Sequence, residues 1–149
     1  KKKFLKVGKI KVKFLQVPHP PLKECYAYKF IGSKKIVFSG DTRYFEPLAS
    51  FSKKSDVLVH EAILPKYIDK IVKNTGLSLK LKKHLKSSHT KLEEVIKIAK
   101  LSNCKKLIIN HLIPNDNTLK QRRVWQKNIN NKINTKVIIG QDKLRIKLS

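Results

Sequence analysis

The chain has 149 residues, 40% of them hydrophobic, which suits one folded domain. No apolar run approaches the ~18 residues that a helical membrane span needs, and the opening KKKFLKVGKIKVK has no apolar stretch or small-residue cleavage site of a secretory signal. The formal net charge is +25, which fits a polyanion partner such as RNA or DNA. It also fits plain coding bias, because the charge is nearly all Lys, with abundant Ile and Asn and only four Arg; both readings stay open.

The elements follow in chain order. IKVKFLQV (residues 10–17) alternates apolar and basic residues and predicts a half-exposed strand. Val17-Pro18-His19-Pro20-Pro21 is expected to break it. CYAYKFI (residues 25–31) predicts a second strand, and Gly32-Ser33-Lys34 a tight hairpin into KIVFS (residues 35–39). Pro47 suits the first position of a short helix with Leu48 and Phe51 inward. DVLV (residues 56–59) reads as a buried strand. Residues 64–88 are expected to hold helix around Tyr67 to Val72 and then a Lys-rich excursion through Lys86. Thr90-Lys91-Leu92-Glu93 fits a capping box before a helix with Leu92, Val95, Ile96 and Ala99 on one face. KLIIN (residues 106–110) predicts a buried strand, and residues 118–130 a helix anchored by Trp125. KVIIG (residues 136–140) and KLRIKL (residues 143–148) are expected to be closing strands. Such a mixture is α/β or α+β.

Three predicted strands each lead to a chemically able side chain. KIVFSG runs into Asp41, DVLV into His60-Glu61, and KLIIN into His111. If they are neighbours in one sheet, those groups converge at one edge, where sites in layered α/β proteins lie. Asp41 alone is an ordinary turn residue, and a lone His is more often surface or core than ligand. His19 sits rigidly between prolines. His89 precedes the predicted capped helix, whose dipole would disfavour the imidazolium. Glu61 could orient a histidine, as carboxylates behind metal ligands do. His84 falls in the Lys-rich excursion and is left there; the role of His60 is open. Cys25 and Cys104 form no CxxC pair and suit a reducing, cytoplasmic setting.

Taken together, VPHPPLKECYAYKF, KIVFSGDTRYFEPLASFSKKSDVLVHEAIL, HLKSSHTKLEEVIKIAKLSNCKKLIINHLIP and KVIIGQDKL resemble the C-terminal half of the metallo-β-lactamase fold. The branch they resemble holds ribonuclease Z and the arylsulfatase-like hydrolases. The resemblance implies an αββα sandwich with two zinc ions at one end, manganese or iron being alternatives. It implies His19 as a ligand of the first metal, Asp41 as the bridge, and His111 as a ligand of the second. It also implies His89 as proton donor to the leaving group, Glu61 as the residue that orients a catalytic histidine, and a homodimer.

One departure matters. The family's first signature, His-x-His-x-Asp-His, should precede His19 and is absent from this sequence. With no methionine either, residues 1–149 are expected to be the C-terminal part of a longer chain, incomplete and inactive alone. A degenerate relative without metals is the alternative. The expected function is a zinc-dependent hydrolase of esters or phosphodiesters. A tRNA 3′-end endonuclease is the second reading, and a non-catalytic basic nucleic-acid-binding module the third.

Overall fold

The computed structural model describes residues 4–75, 79–115, 118–129 and 133–148. Among the described residues, twelve elements run in the order β1 (Phe4–Val7), β2 (Ile10–His19), β3 (Leu22–Ile31), β4 (Lys35–Phe38), α1 (Pro47–Phe51), β5 (Val57–Ile63), α2 (Pro65–Thr75), α3 (Leu79–Ser88), α4 (Leu92–Ser102), β6 (Lys106–Ile113), α5 (Leu119–Ile129) and β7 (Lys136–Ile139). The seven strands form one sheet in sequential order. β1 to β4 are antiparallel neighbours, and β4 to β7 are parallel. This is the α/β class expected.

The parallel half explains where the helices go. Each parallel step needs a crossover, and crossovers are almost always right-handed. A sheet growing in one direction therefore carries its crossover helices on one face. Val37, Leu58 and Leu107 are aligned across β4, β5 and β6 and are fully buried on that face. They share one core with Leu48 of α1, Val95, Ile98 and Ala99 of α4, and Trp125 and Ile129 of α5. Burying each large aliphatic side chain there is worth about 1.5–3 kcal/mol. The Trp125 indole N–H also donates to the Pro114 carbonyl at 3.0 Å, pinning the segment after β6. On the opposite face Phe38, Val59 and Ile108 align. They border a groove of about 550 Å³ whose other wall includes Leu144, Ile146 and Leu148.

Several boundaries differ from expectation. β2 does not stop at Pro18 but runs to His19, through a register irregularity between Val17 and His19. A bulge tolerates the missing proline N–H. β1 was not anticipated; it pairs with β2 across the Gly8 turn. β5 and β6 each outrun the predicted strand, so Glu61 and His111 lie inside strands rather than beyond them. The Lys-rich excursion is helix α3. The cap of α4 is shifted by one residue. Lys91 N–H donates to Glu94 Oε2 at 3.0 Å, whereas the Thr90 hydroxyl donates to the Thr42 carbonyl at 2.6 Å. A tertiary acceptor has taken the hydroxyl that local sequence assigned to the cap. Residues 143–148 form no strand. Their alternating apolar residues line the groove instead of joining a ladder. The predicted helix over 118–130 matches α5, except that residue 130 lies outside the described residues.

Candidate metal centre

Asp41 follows the end of β4. Ser39 N–H still bonds the Val59 carbonyl, and the chain then turns at Gly40, φ +62°. A Cβ at Gly40 would lie 2.7 Å from the Tyr26 carbonyl oxygen. Only glycine meets both the left-handed backbone and that close approach. Asp41 emerges from this turn half-exposed.

His111 comes from a bulge. Glu61 pairs with Asn110 and Ala62 with Leu112, so His111 is the extra residue in β6. Its φ is +40°, a left-handed value that costs a non-glycine residue about 1–3 kcal/mol. Bulges of this kind re-aim side chains beside functional sites. Here His111 Nε2 lies 3.5 Å from Asp41 Oδ2.

Glu61 is buried and gathers the inner wall. Its Oε1 accepts the Thr42 N–H at 3.0 Å, the His89 Nδ1–H at 3.1 Å and the Thr90 N–H at 3.2 Å. One carboxylate oxygen thus ties the Asp41 loop to the segment leading into α4. Ile63 N–H to the Thr90 carbonyl at 2.8 Å and Arg43 N–H to the Pro18 carbonyl at 2.9 Å complete the frame. His19, at the end of β2, gives its Nδ1–H to the Ser88 carbonyl at 2.9 Å. Its ring centre is 5.0 Å from that of His89, which is 5.5 Å from that of His111.

The electrostatics follow from burial and pairing. Burial raises the Glu61 pKa, against the stabilising bonds from His89, Thr42 and Thr90. Burial also opposes a charged His89, but the Glu61 hydrogen bond and charge, with Asp41, outweigh it and raise the His89 pKa. The pair therefore holds a shared proton to higher pH than either group would alone. This corrects the expectation that a helix dipole keeps His89 neutral. His89 lies outside α4, before its Lys91 cap, and faces a carboxylate. His60 is fully buried, and that burial lowers its pKa to about 4 even though its Nδ1–H bonds the Glu61 carbonyl at 2.7 Å.

The donor set suits a divalent ion. One ligand atom from each of Asp41, His89 and His111 lies within 4.8 Å of the others. His19 stands beside this group of three, its ring centre 5.0 Å from that of His89; the Ser88 carbonyl only accepts and so fixes the hydrogen on Nδ1, leaving Nε2 as the donor nitrogen. Mixed imidazole and carboxylate donors fit zinc and its neighbours.

Of the residues expected at the site, Asp41, Glu61, His89, His111 and His19 all lie in this cluster. The tight group of three contains His89 in place of His19. His84 was missed. Its ring centre is 6.2 Å from that of His19 and 6.3 Å from that of His89. The available signal was its spacing from Ser88, four residues along a helix that the Lys-rich composition concealed.

No family model matches the chain. Ribonuclease Z of Macrococcus caseolyticus strain JCSC5402 is 33% identical over 109 residues, covering 73% of this chain and 31% of that protein. Ribonuclease Z 1 of Schizosaccharomyces pombe is 31% identical over 102 residues, covering 67% of this chain and 11% of that protein. The chain thus spans a third or less of these curated relatives. Among solved structures, the metallo-beta-lactamase fold protein YhfI from Bacillus subtilis superposes with a TM-score of 0.65 at 23% identity, over 93% of this chain and 48% of that one. The short form of human tRNase Z superposes with a TM-score of 0.60 at 17% identity, over 97% and 46%. These structural likenesses establish the fold.

Proposed function

This chain belongs to the metallo-β-lactamase fold superfamily, on the branch that includes ribonuclease Z, and from that premise we propose that it carries part of the site of a metal-dependent phosphodiester hydrolase. The observation behind this reading is the meeting of Asp41 and His111, 3.5 Å apart beside the ends of β4 and β6, with the His89 ring centre 5.5 Å from that of His111. In this reading Asp41, His111 and His19 hold divalent metal, zinc first, with manganese or iron as alternatives. A bound zinc supplies Lewis acidity and brings the pKa of a water to ~7. His89, its Nδ1–H held by Glu61, keeps Nε2 free to pass a proton to the leaving oxygen. Glu61 favours the protonated ring against its burial, through its hydrogen bond and charge, and orients it. Residues 1–149 are read as the C-terminal part of a longer chain, the remaining ligands coming from the rest of that protein.

RNA is the substrate to test first. The sequence relatives carry the name ribonuclease Z, and a net charge of +25 would draw a polyanion. A small ester or phosphodiester is the second reading. The tight link between β3 and β4, with Gly32 N–H bonded to the Lys34 carbonyl at 3.0 Å, favours it. The resemblance to ribonuclease Z leads one to expect a long tRNA-gripping insertion there. No helix among the described residues is long and apolar enough to cross a membrane. The free thiols Cys25 and Cys104 suit the cytoplasm.

The experiment compares cleavage of precursor tRNA with that of bis(p-nitrophenyl) phosphate by the full-length protein, with Asp41→Ala as control. Cleavage of the small ester alone removes the RNA reading. Cleavage of neither with zinc or manganese supplied removes the hydrolase, and salt-dependent RNA binding would then support the non-catalytic module.

A further inference from the structure

Ser88 ends α3 and is completely buried. Three hydrogen bonds converge on it. Its carbonyl accepts the His19 Nδ1–H at 2.9 Å. Its hydroxyl donates to the Pro20 carbonyl. Its oxygen lies 3.2 Å from His84 Nδ1, one turn back on the same helix. A hydroxyl has one hydrogen, and here Pro20 receives it. The bond to His84 therefore runs the other way, from Nδ1–H to the Ser88 oxygen. One buried serine thus fixes the same ring form on two histidines from different elements and joins α3 to the turn after β2.

From these contacts we propose that Ser88 and His84 form a clamp that positions His19 for metal, an inference that rests on the metal-site reading above. His84 is a positioning residue in this account, not a ligand. It is half-buried, and its ring leans edge-on against those of His19 and His89. It holds the Ser88 hydroxyl in the direction that grips Pro20, the neighbour of His19. Without the hydroxyl, α3 keeps its carbonyl bond to His19 but loses its hold on the turn. Without the His84 donor, the hydroxyl is free to rotate away from Pro20. Groups that orient a metal-bound histidine typically change metal affinity about 10–100-fold when removed.

The test measures zinc affinity of the full-length protein by competition with a fluorescent chelator, alongside its thermal midpoint. Ser88→Ala and His84→Ala are each expected to weaken binding about tenfold. The double variant should be no weaker than the worse single, because both break one clamp. His84→Asn keeps an N–H where Nδ1–H stood and should bind as the unaltered protein does. Unchanged affinity in both alanine variants would overturn the proposal. So would a His84→Asn variant as weak as His84→Ala, which would make the imidazole Nε2 a ligand. Long-range proton–nitrogen NMR on zinc-free protein supplies a readout independent of metal. His19 and His84 should both carry hydrogen on Nδ1, and Ser88→Ala should turn His84 into a mixture while sparing His19. A neutral Nε2–H form of either ring in the unaltered protein contradicts the clamp. If the unaltered protein binds no zinc, the metal reading fails, and the NMR result still decides the clamp.

Discussion

Two carboxylate–histidine pairs stand side by side at the site. Glu61 and His89 are 1% and 5% exposed and 3.1 Å apart. Asp41 and His111 are 44% and 48% exposed and 3.5 Å apart. The inner pair is held by backbone N–H groups from two segments. The outer pair reaches solvent from a glycine turn and a bulge, both of which fit a position needed for something other than packing. The difference separates scaffold from working surface. Burial makes the first pair costly to break, because either partner alone would be left buried and unpaired, while exposure leaves the second free for a ligand.

Breaking the inner pair should have the largest effect. Glu61→Ala removes the acceptor of three N–H groups, and loss of one partner from a buried pair costs about 3–5 kcal/mol; urea unfolding measures it. Glu61→Gln keeps an acceptor oxygen and should cost less. Acid comes next, through the neighbouring His60. Its folded pKa of about 4 lies below the ordinary 6.5, so the unfolded chain binds the proton more readily. Stability from His60 is full above pH 6.5 and lost as pH falls toward 4. The loss is about 3 kcal/mol at ~1.36 kcal/mol per pH unit. Glu61, whose pKa is raised, works in the opposite sense there, so the His60 part is read as the difference from a His60→Leu variant across that window. The outer pair should respond to metal instead. Zinc at a hundredfold excess over its Kd should stabilise the unaltered protein by about 2.7 kcal/mol and Asp41→Ala by clearly less, about 1.4 kcal/mol for a tenfold weaker site, as thermal scans would show. The smallest effect is on the fold itself. His111→Asn removes a surface pair worth about 0–1 kcal/mol and eases the left-handed backbone, so unfolding should show no loss beyond about 1 kcal/mol while zinc binding falls.

The same contrast explains what the sequence disclosed. Asp41 alone reads as an ordinary turn residue and was legible only jointly, because SGDT, VHEA, HT and INHLIP follow one another in that order. Glu61 and His111 were legible as residues but not as strand members. VLVHEAI and KLIINHLI read as strands that stop at the first polar side chain, yet buried partners and a bulge carry both ladders onward. The α4 cap was misassigned because the Thr90 hydroxyl answers to Thr42, 48 residues away. His84 was hidden by flanking lysines, since its significance lies in Ser88 and His19 rather than in its own neighbourhood. KLRIKL carries the period of a strand, but period fixes which residues share a face and not whether a partner strand is present.

The most direct measurement is a calorimetric zinc titration of the full-length protein beside its Asp41→Ala/His111→Ala variant. Saturable binding is expected for the first and, with two ligands removed, a loss in the second beyond the roughly 10–100-fold that removing a group behind a ligand costs, with the unfolding midpoint in chelator little changed. Undiminished binding by the variant, or no binding by the unaltered protein, would contradict the metal-site reading.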